Sequence, residues 1–314
     1  MKAAIVKGRG VTPVYGEFAD PVAGPGEQLV TVTAAAISPV VKSRAAGKHY
    51  SSTNAFPFIA GVDGVGRLAD GTRVVFGMPK APYGSMAELA AAPAALFMPL
   101  SDAIDDVTAA AIANPGTSAW AALTIRAQLQ KGETVLVNGA TGAAGRLAVQ
   151  VAKHMGAAKV IATGRNAETL AKIGADATVV LSENWDAVED GFKTEFAGGV
   201  DVVLDYLWGK SAERLLIAAA KAGIGDRPLR YVEIGSVSGA DITLPSAVLR
   251  SSAITLMGSG LGGVPFDRIA KAGIEFFVAA ATAGLSIPTR AVPLTEVETI
   301  WNEDDGGKRI VLTM

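Results

Sequence analysis

The stretch TVLVNGATGAAGRLAVQVAKHMGAAKVIATGRN, Thr134 to Asn166, decides the fold. Thr134–Asn138 alternates β-branched and apolar residues, as a buried strand does. A turn of small residues follows at Gly139–Gly145. Arg146–Met155 then places Leu147, Val151 and Met155, flanked by Ala148 and Ala152, at helical spacing. Gly156 ends that helix, and Lys159–Thr163 reads as a second strand. Strand, glycine turn, helix and strand within about 30 residues make a βαβ unit.

The turn carries a dinucleotide fingerprint, Ala140-x-Gly142-x-x-Gly145, with alanine at its first position. Ala140, Thr141, Gly142, Ala143, Ala144 and Gly145 are the candidate phosphate-binding residues. Gly142 lets the backbone approach a pyrophosphate, and Gly145 lets the helix pack closely on the strand. The helix N-terminus offers free N–H groups and the positive end of its dipole. The alternative is a βαβ turn that binds nothing. The end of the second strand selects the cofactor. NAD-binding folds place Asp or Glu there, about 20 residues past the turn, to hold the ribose 2′-OH. Here the residues are Thr163-Gly164-Arg165-Asn166, with no acid. Arg165 can pair with a 2′-phosphate that an acid would repel, so NADP(H) is expected over NAD(H). The competing reading is an exposed surface arginine.

A chain of 314 residues leaves room for two domains. Half of it is apolar and 18% charged, so it can bury a sizeable core. A net charge of −2 gives no sign of a nucleic-acid or membrane partner. The absence of cysteine excludes disulfides, thiolate metal sites and cysteine nucleophiles. The first residues lack the apolar core of a signal peptide, and runs such as Phe276–Leu285 are too short to span a bilayer. A cytoplasmic location is the expectation.

Residues 1–113 do not alternate strand and helix. Lys2–Lys7, Gln28–Ala34 and Arg73–Phe76 read as strands separated by Gly and Pro turns, which suggests a mainly β, barrel-like domain. Asp105–Ala113 reads as a helix broken by Asn114-Pro115-Gly116, and Thr117–Leu129 as another. Further strands are expected at Thr178–Leu181, Asp201–Leu204, Arg230–Ile234 and Ile254–Gly258, with helices at Ala167–Ile173 and Ser211–Ala222. That alternation implies a doubly wound parallel sheet. A long helix, Phe266–Ala283, and a closing strand, Lys308–Thr313, lead the chain back to the β domain. The expected plan is 1–115 with 260–314 as the barrel-like domain and 116–259 as an inserted Rossmann domain.

The whole chain resembles the medium-chain dehydrogenase/reductase superfamily, and within it the zinc-free quinone oxidoreductase group. Pro25-Gly26-Glu27, Ala35–Pro39, Pro57–Gly66, Gly116–Trp120 and Gly307–Leu312 match its motifs in order. The resemblance implies a GroES-like barrel domain. It also implies hydride transfer from NADPH to a quinone or a related conjugated carbonyl, in the cleft between the domains. Zinc-dependent relatives carry Cys where this chain has Ser38, and Gly-His-Glu where it has Gly61-Val62-Asp63. Thiolate and imidazole are what a catalytic zinc needs, so no metal is expected. His154 is expected at the surface, and His49 alone is no metal site. By position, Thr117 would lie near the nicotinamide, Gly235 and Ser236 beside its carboxamide, Arg309 near the pyrophosphate and Asp205 on the adenine side. Asp205 could instead cap a turn, and Arg309 could be solvent-exposed. Ser38 and Tyr50 are the candidate catalytic groups, because a hydroxyl can donate to a developing enolate or phenolate oxygen. Tyr50 could equally be a rim aromatic, and Ser38 a turn cap. The resemblance further implies a homodimer paired through an edge strand of the nucleotide domain. Two other functions fit the same residues: an alkenal or enone double-bond reductase, or a nucleotide-binding structural or regulatory protein with little turnover.

Overall fold

Thr134–Asn138 is a fully formed strand in the computed structural model, which describes every residue except 54, 224–226, 261 and 305. In chain order the strands are β1 (Lys2–Val6), β2 (Val14–Glu17), β3 (Glu27–Ala36), β4 (Phe58–Ile59), β5 (Asp63–Arg67), β6 (Arg73–Gly77), β7 (Leu89–Pro93) and β8 (Met98–Pro99). They continue as β9 (Thr134–Asn138), β10 (Lys159–Gly164), β11 (Ala177–Val180), β12 (Val202–Asp205), β13 (Leu229–Glu233), β14 (Ile254–Gly258), β15 (Thr289–Pro293) and β16 (Arg309–Thr313). The helices are α1 (Pro39–Ala45), α2 (Asp106–Ala121), α3 (Ala143–His154), α4 (Ala167–Ala171), α5 (Trp185–Ala197), α6 (Gly209–Lys221), α7 (Ser246–Arg250), α8 (Phe266–Ala283) and α9 (Val297–Ile300). Two units result: Met1–Asn114 with Ile269–Met314, and Pro115–Arg268. The return to the first unit comes later than residue 260.

The second unit is a six-stranded parallel sheet in the order β11-β10-β9-β12-β13-β14. Numbered from its own first strand this is 3-2-1-4-5-6, the doubly wound Rossmann order. Its central strands are almost continuously buried, because helices cover both faces. Leu136, Ile161, Val203 and Tyr231 meet Phe192 and Phe196 of α5 and Leu215 and Leu216 of α6 in one core. Each such side chain contributes about 1.5–3 kcal/mol by leaving water.

The first unit is mainly β and is built from both chain ends. β16 pairs antiparallel with β3, with Val311 opposite Ala36, and parallel with β15. The sheet continues through β5 and β6 to β8, and β7 also pairs with β3. A three-stranded sheet, β2-β1-β4, completes the unit. Among the described residues no helix is long and apolar enough to cross a membrane.

One local expectation fails. The chain does not break at Asn114-Pro115-Gly116; α2 runs through Pro115. It then widens into a π-helical turn, Ala122–Arg126, in which the Ala127 N–H donates to Ala122 O at 2.8 Å. An interior proline costs a hydrogen bond and crowds the preceding turn. Ala109–Ala113, Ala119 and Ala121 are all buried, and packing on nearly every side of the helix outweighs that cost.

Candidate active site

The strand order reverses between β9 and β12, and the glycine turn sits at the carboxyl end of β9 beside that reversal. Open parallel sheets bind ligands at this place. Gly139 starts the turn at φ 89°, a conformation that favours glycine, and a Cβ there would lie 2.8 Å from Leu207 Cγ. Gly139 therefore does the tight-turn work that the fingerprint gives its first glycine, one position before Ala140. The Ala140 N–H donates to Thr163 O at 2.8 Å, which ties the turn to β10.

Gly142 is the N-cap of α3, with φ −76° and ψ 164° and no side-chain cap. A Cβ on Gly142 would meet only Gly139 O, at 3.7 Å. Neither backbone angle nor protein neighbour demands glycine there. An added methyl would instead take up exposed space at the first turn of α3, where amides lack partners within the helix. This suits a pyrophosphate held by those amides and by the helix dipole. Gly145 differs: a Cβ would collide with Gly139 O and come within 2.6 Å of Ala140 Cα. Gly164 is likewise fixed from within, since a Cβ would fall 2.5 Å from Thr141 Cγ2. Ala143 and Ala144 open α3, half-buried.

Beneath the turn lies a buried polar network that sequence reasoning missed. Asn138 Nδ2 donates to Asp205 Oδ1 at 2.7 Å and to Ser211 Oγ at 3.0 Å. Thr163 Oγ1 donates to Asn138 Oδ1 at 2.6 Å and accepts from the Gly139 N–H at 3.1 Å. Asp205 also accepts from Tyr231 Oη at 2.6 Å and from the N–H groups of Leu207 and Trp208. The Asp205 side chain is thus a turn cap and network hub, buried within the protein. Burial pushes its carboxyl up, against the pull of the hydrogen bonds it accepts.

Arg165 and Asn166, just past β10, are both exposed. Asn166 caps α4, its Oδ1 accepting from the Thr169 N–H at 2.8 Å. Gly235 and exposed Ser236 follow β13, and a Cβ on Gly235 would lie 3.2 Å from Tyr206 O. Thr117 is buried on α2, and its hydroxyl meets no hydrogen-bond partner among the described residues.

The remaining candidates belong to the first unit. Ser38 is buried and caps α1, its Oγ accepting from the Val41 N–H at 3.4 Å. Arg309, on β16, is also buried rather than solvent-exposed, and its Nη1 donates to Ile37 O at 3.1 Å, next to Ser38. Burial pushes the Asp63 carboxyl up to about 7, although the positive charge of Arg309 holds it down in part. Tyr50 is 72% exposed and its ring stacks on His49, centroids 4.2 Å apart. The Ser51 N–H donates to His49 Nδ1 at 3.2 Å, which puts the imidazole proton on Nε2. Burial and the nearby Arg44 charge lower the His49 pKa. His154 is exposed, as expected.

A six-stranded nucleotide-binding sheet, inserted in sequence between the two parts of a β unit made from both chain ends, defines the medium-chain dehydrogenase/reductase class. A profile of the zinc-binding dehydrogenase family matches residues 143–279. The probable NADPH-dependent quinone reductase tdiC of Emericella nidulans is 30% identical, over 96% of each chain. Prostaglandin reductase-3 of Bos taurus is 29% identical over 74% of this chain and 64% of that protein. The quinone oxidoreductase of Thermus thermophilus, solved with NADPH, superposes with a TM-score of 0.83 at 27% identity over all of both chains. The chain belongs to the quinone oxidoreductase-like group of the medium-chain dehydrogenase/reductase superfamily.

Proposed function

We propose that this protein is an NADPH-dependent oxidoreductase that reduces a quinone or a related conjugated carbonyl, without a metal ion and as a homodimer. The observation that carries the reading is Gly142, a helix-capping glycine for which the protein's own packing gives no reason. The reductase character of tdiC and the NADPH complex of the Thermus thermophilus relative support it. Arg165, in a strand end without Asp or Glu, supports the 2′-phosphate.

When bound, NADPH supplies the hydride. The chain's own groups would hold it: the amides of Ala143–Gly145 for the pyrophosphate, Arg165 for the 2′-phosphate and Thr117 for the nicotinamide side. Arg309 and the Gly235-Ser236 backbone complete the expected set. Toward substrate, the Tyr50 hydroxyl donates to the oxygen that gains negative charge, a transition-state contact worth roughly 10²-fold in rate. Ser38, already a helix cap, is the second candidate there. Metal independence is supported by the lack of cysteine and by Ser38 and Val62 at the positions where zinc-dependent relatives keep ligands. The homodimer is supported by β14, an edge strand with no fully buried residue.

The likeness to prostaglandin reductase-3 favours an enone reductase as the second reading. Measuring NADPH consumption against a quinone panel and an enone panel, each before and after dialysis with a strong chelator, tests both. Quinone turnover that survives the chelator is expected. Turnover confined to enones selects the second reading, and a rate lost to the chelator and restored by zinc rejects the metal-free mechanism. No turnover with any acceptor, despite NADPH binding, leaves a nucleotide-binding protein.

A further inference from the structure

Tyr206 follows β12 directly, at the point where the strand order turns away from β9. Its main chain is fixed from both sides. The Tyr206 N–H donates to Asn138 O at 3.1 Å, at the root of the glycine turn. On the other side the Tyr206 carbonyl lies against Gly235, where a Cβ would come within 3.2 Å of it. The residue is 8% exposed, and its hydroxyl is buried with no hydrogen-bond partner among the described residues. Burial raises its pKa, so it is a donor at any working pH. Tyr231, one strand away, makes the contrast: its buried hydroxyl donates to Asp205 Oδ2 at 2.6 Å. Buried hydroxyls in folded proteins are almost always paired, and phenylalanine would fill an apolar position with no polar atom to satisfy.

We infer that the Tyr206 hydroxyl is a cofactor-binding donor, placed to bond an acceptor oxygen in the nicotinamide half of the bound dinucleotide. The inference rests on the proposed NADPH-dependent function. The half is chosen by topology. Arg165 follows β10, in the half of the sheet made by β9–β11, and takes the adenosine end. The rest of the cofactor crosses to the half that begins at β12, and Tyr206 is the first residue past that strand. Thr117, another buried hydroxyl in this unit without a partner among the described residues, is assigned to the same end of the cofactor.

The test uses the full-length chain and Tyr206→Phe. Three quantities are compared: thermal midpoint without cofactor, NADPH dissociation constant by fluorescence titration, and dissociation constant for adenosine 2′,5′-bisphosphate, which lacks the nicotinamide half. The expected result is an unchanged or raised midpoint, an NADPH constant raised about tenfold, and an unchanged constant for the bisphosphate. An unchanged NADPH constant overturns the assignment. So does an equal rise for both ligands, which would place the hydroxyl on the adenosine side. A clearly lowered midpoint also overturns it, since the hydroxyl would then be satisfied within the protein. Wild-type protein that binds the bisphosphate but not NADPH, or neither, overturns the dinucleotide reading itself. Wild-type binding with an unaffected variant overturns only the role of Tyr206.

Discussion

Gly142 and Gly145 sit three residues apart and answer to different constraints. Gly145 is held by the protein: any Cβ meets the backbone of Gly139 and Ala140, which cannot swing aside. Gly142 is open to solvent and has a backbone that other residues adopt freely. Gly145→Ala should therefore lower the thermal midpoint without cofactor by the equivalent of about 2–3 kcal/mol, as overpacking does. Gly142→Ala should change stability by less than about 1 kcal/mol, the scale of an exchange at an N-cap, yet weaken NADPH binding at least tenfold. Melts and fluorescence titrations on both variants check this; a Gly142→Ala protein that binds NADPH normally would remove the pyrophosphate from that turn. Arg165 is exposed, so its loss should cost no stability. Arg165→Ala should raise the KM for NADPH while leaving that for NADH nearly unchanged, because only NADPH carries the ribose 2′-phosphate that Arg165 is proposed to pair. Equal losses with both cofactors would show that Arg165 does not read the 2′-phosphate. The small-residue turn and the close packing at Gly145 were legible in the sequence because motif and chain neighbour are close together. Asp205 was not. Its partners Asn138, Tyr231 and Ser211 come from separate segments, and only strand pairing makes them a network.

At the scale of elements, periodicity located the central strands of the parallel sheet and the helices α3, α6 and α8, because each buries one face or both; the edge strand β14 was legible from its apolar, β-branched composition instead. It misread α2, where burial on nearly every side leaves no stripe and Pro115 imitates a stop. The sequence reading also passed over α5, although Asn184 caps it and Val188, Phe192 and Phe196 recur at helical spacing. Its charged residues conceal that stripe, and one of them does structural work. Glu189, nearly buried, accepts from Arg214 Nη1 and Lys221 Nζ of α6, each at 2.8 Å, and lies 3.2 Å from Lys193 Nζ. These cations hold its carboxyl at about 2 despite the opposing cost of burial. A depressed carboxylate pKa adds stability that is complete above the unfolded value and fades as pH falls toward the folded one. Glu189 should therefore stabilise the α5–α6 pair fully above about pH 4.5 and progressively less toward about pH 2. Glu189→Gln should cost about 2 kcal/mol at pH 7, below the roughly 3–5 kcal/mol of a fully buried pair because the cations keep contact with water. Melts from pH 7 to pH 3 should show the variant's deficit shrinking with acid. A deficit constant across that range would mean that packing, not charge, joins the two helices.

At the scale of the whole molecule the question is what covers the ends of the parallel sheet. An unpaired edge presents a row of free N–H and C=O groups and invites another chain. The two edges differ. β11 ends the sheet with Val179 buried and Val180 exposed. β14 ends it with Ile254, Leu256 and Met257, of which Leu256 is 38% exposed and none is buried. Three large apolar residues on an uncovered strand are costly to leave in water, roughly in proportion to the area they expose. A second copy joined at β14 would pair the backbone and bury those side chains in one step, extending six strands to twelve. Light scattering at micromolar concentration should then give twice the chain mass. Leu256→Lys should return single chains that bind NADPH as the wild type does, since β14 lies four strands from the β10 end that carries Arg165. Val180→Lys, the same change on the opposite edge, should leave the mass doubled. A wild-type monomer, or a dimer broken by Val180→Lys and untouched by Leu256→Lys, would show that β14 is not where two copies meet.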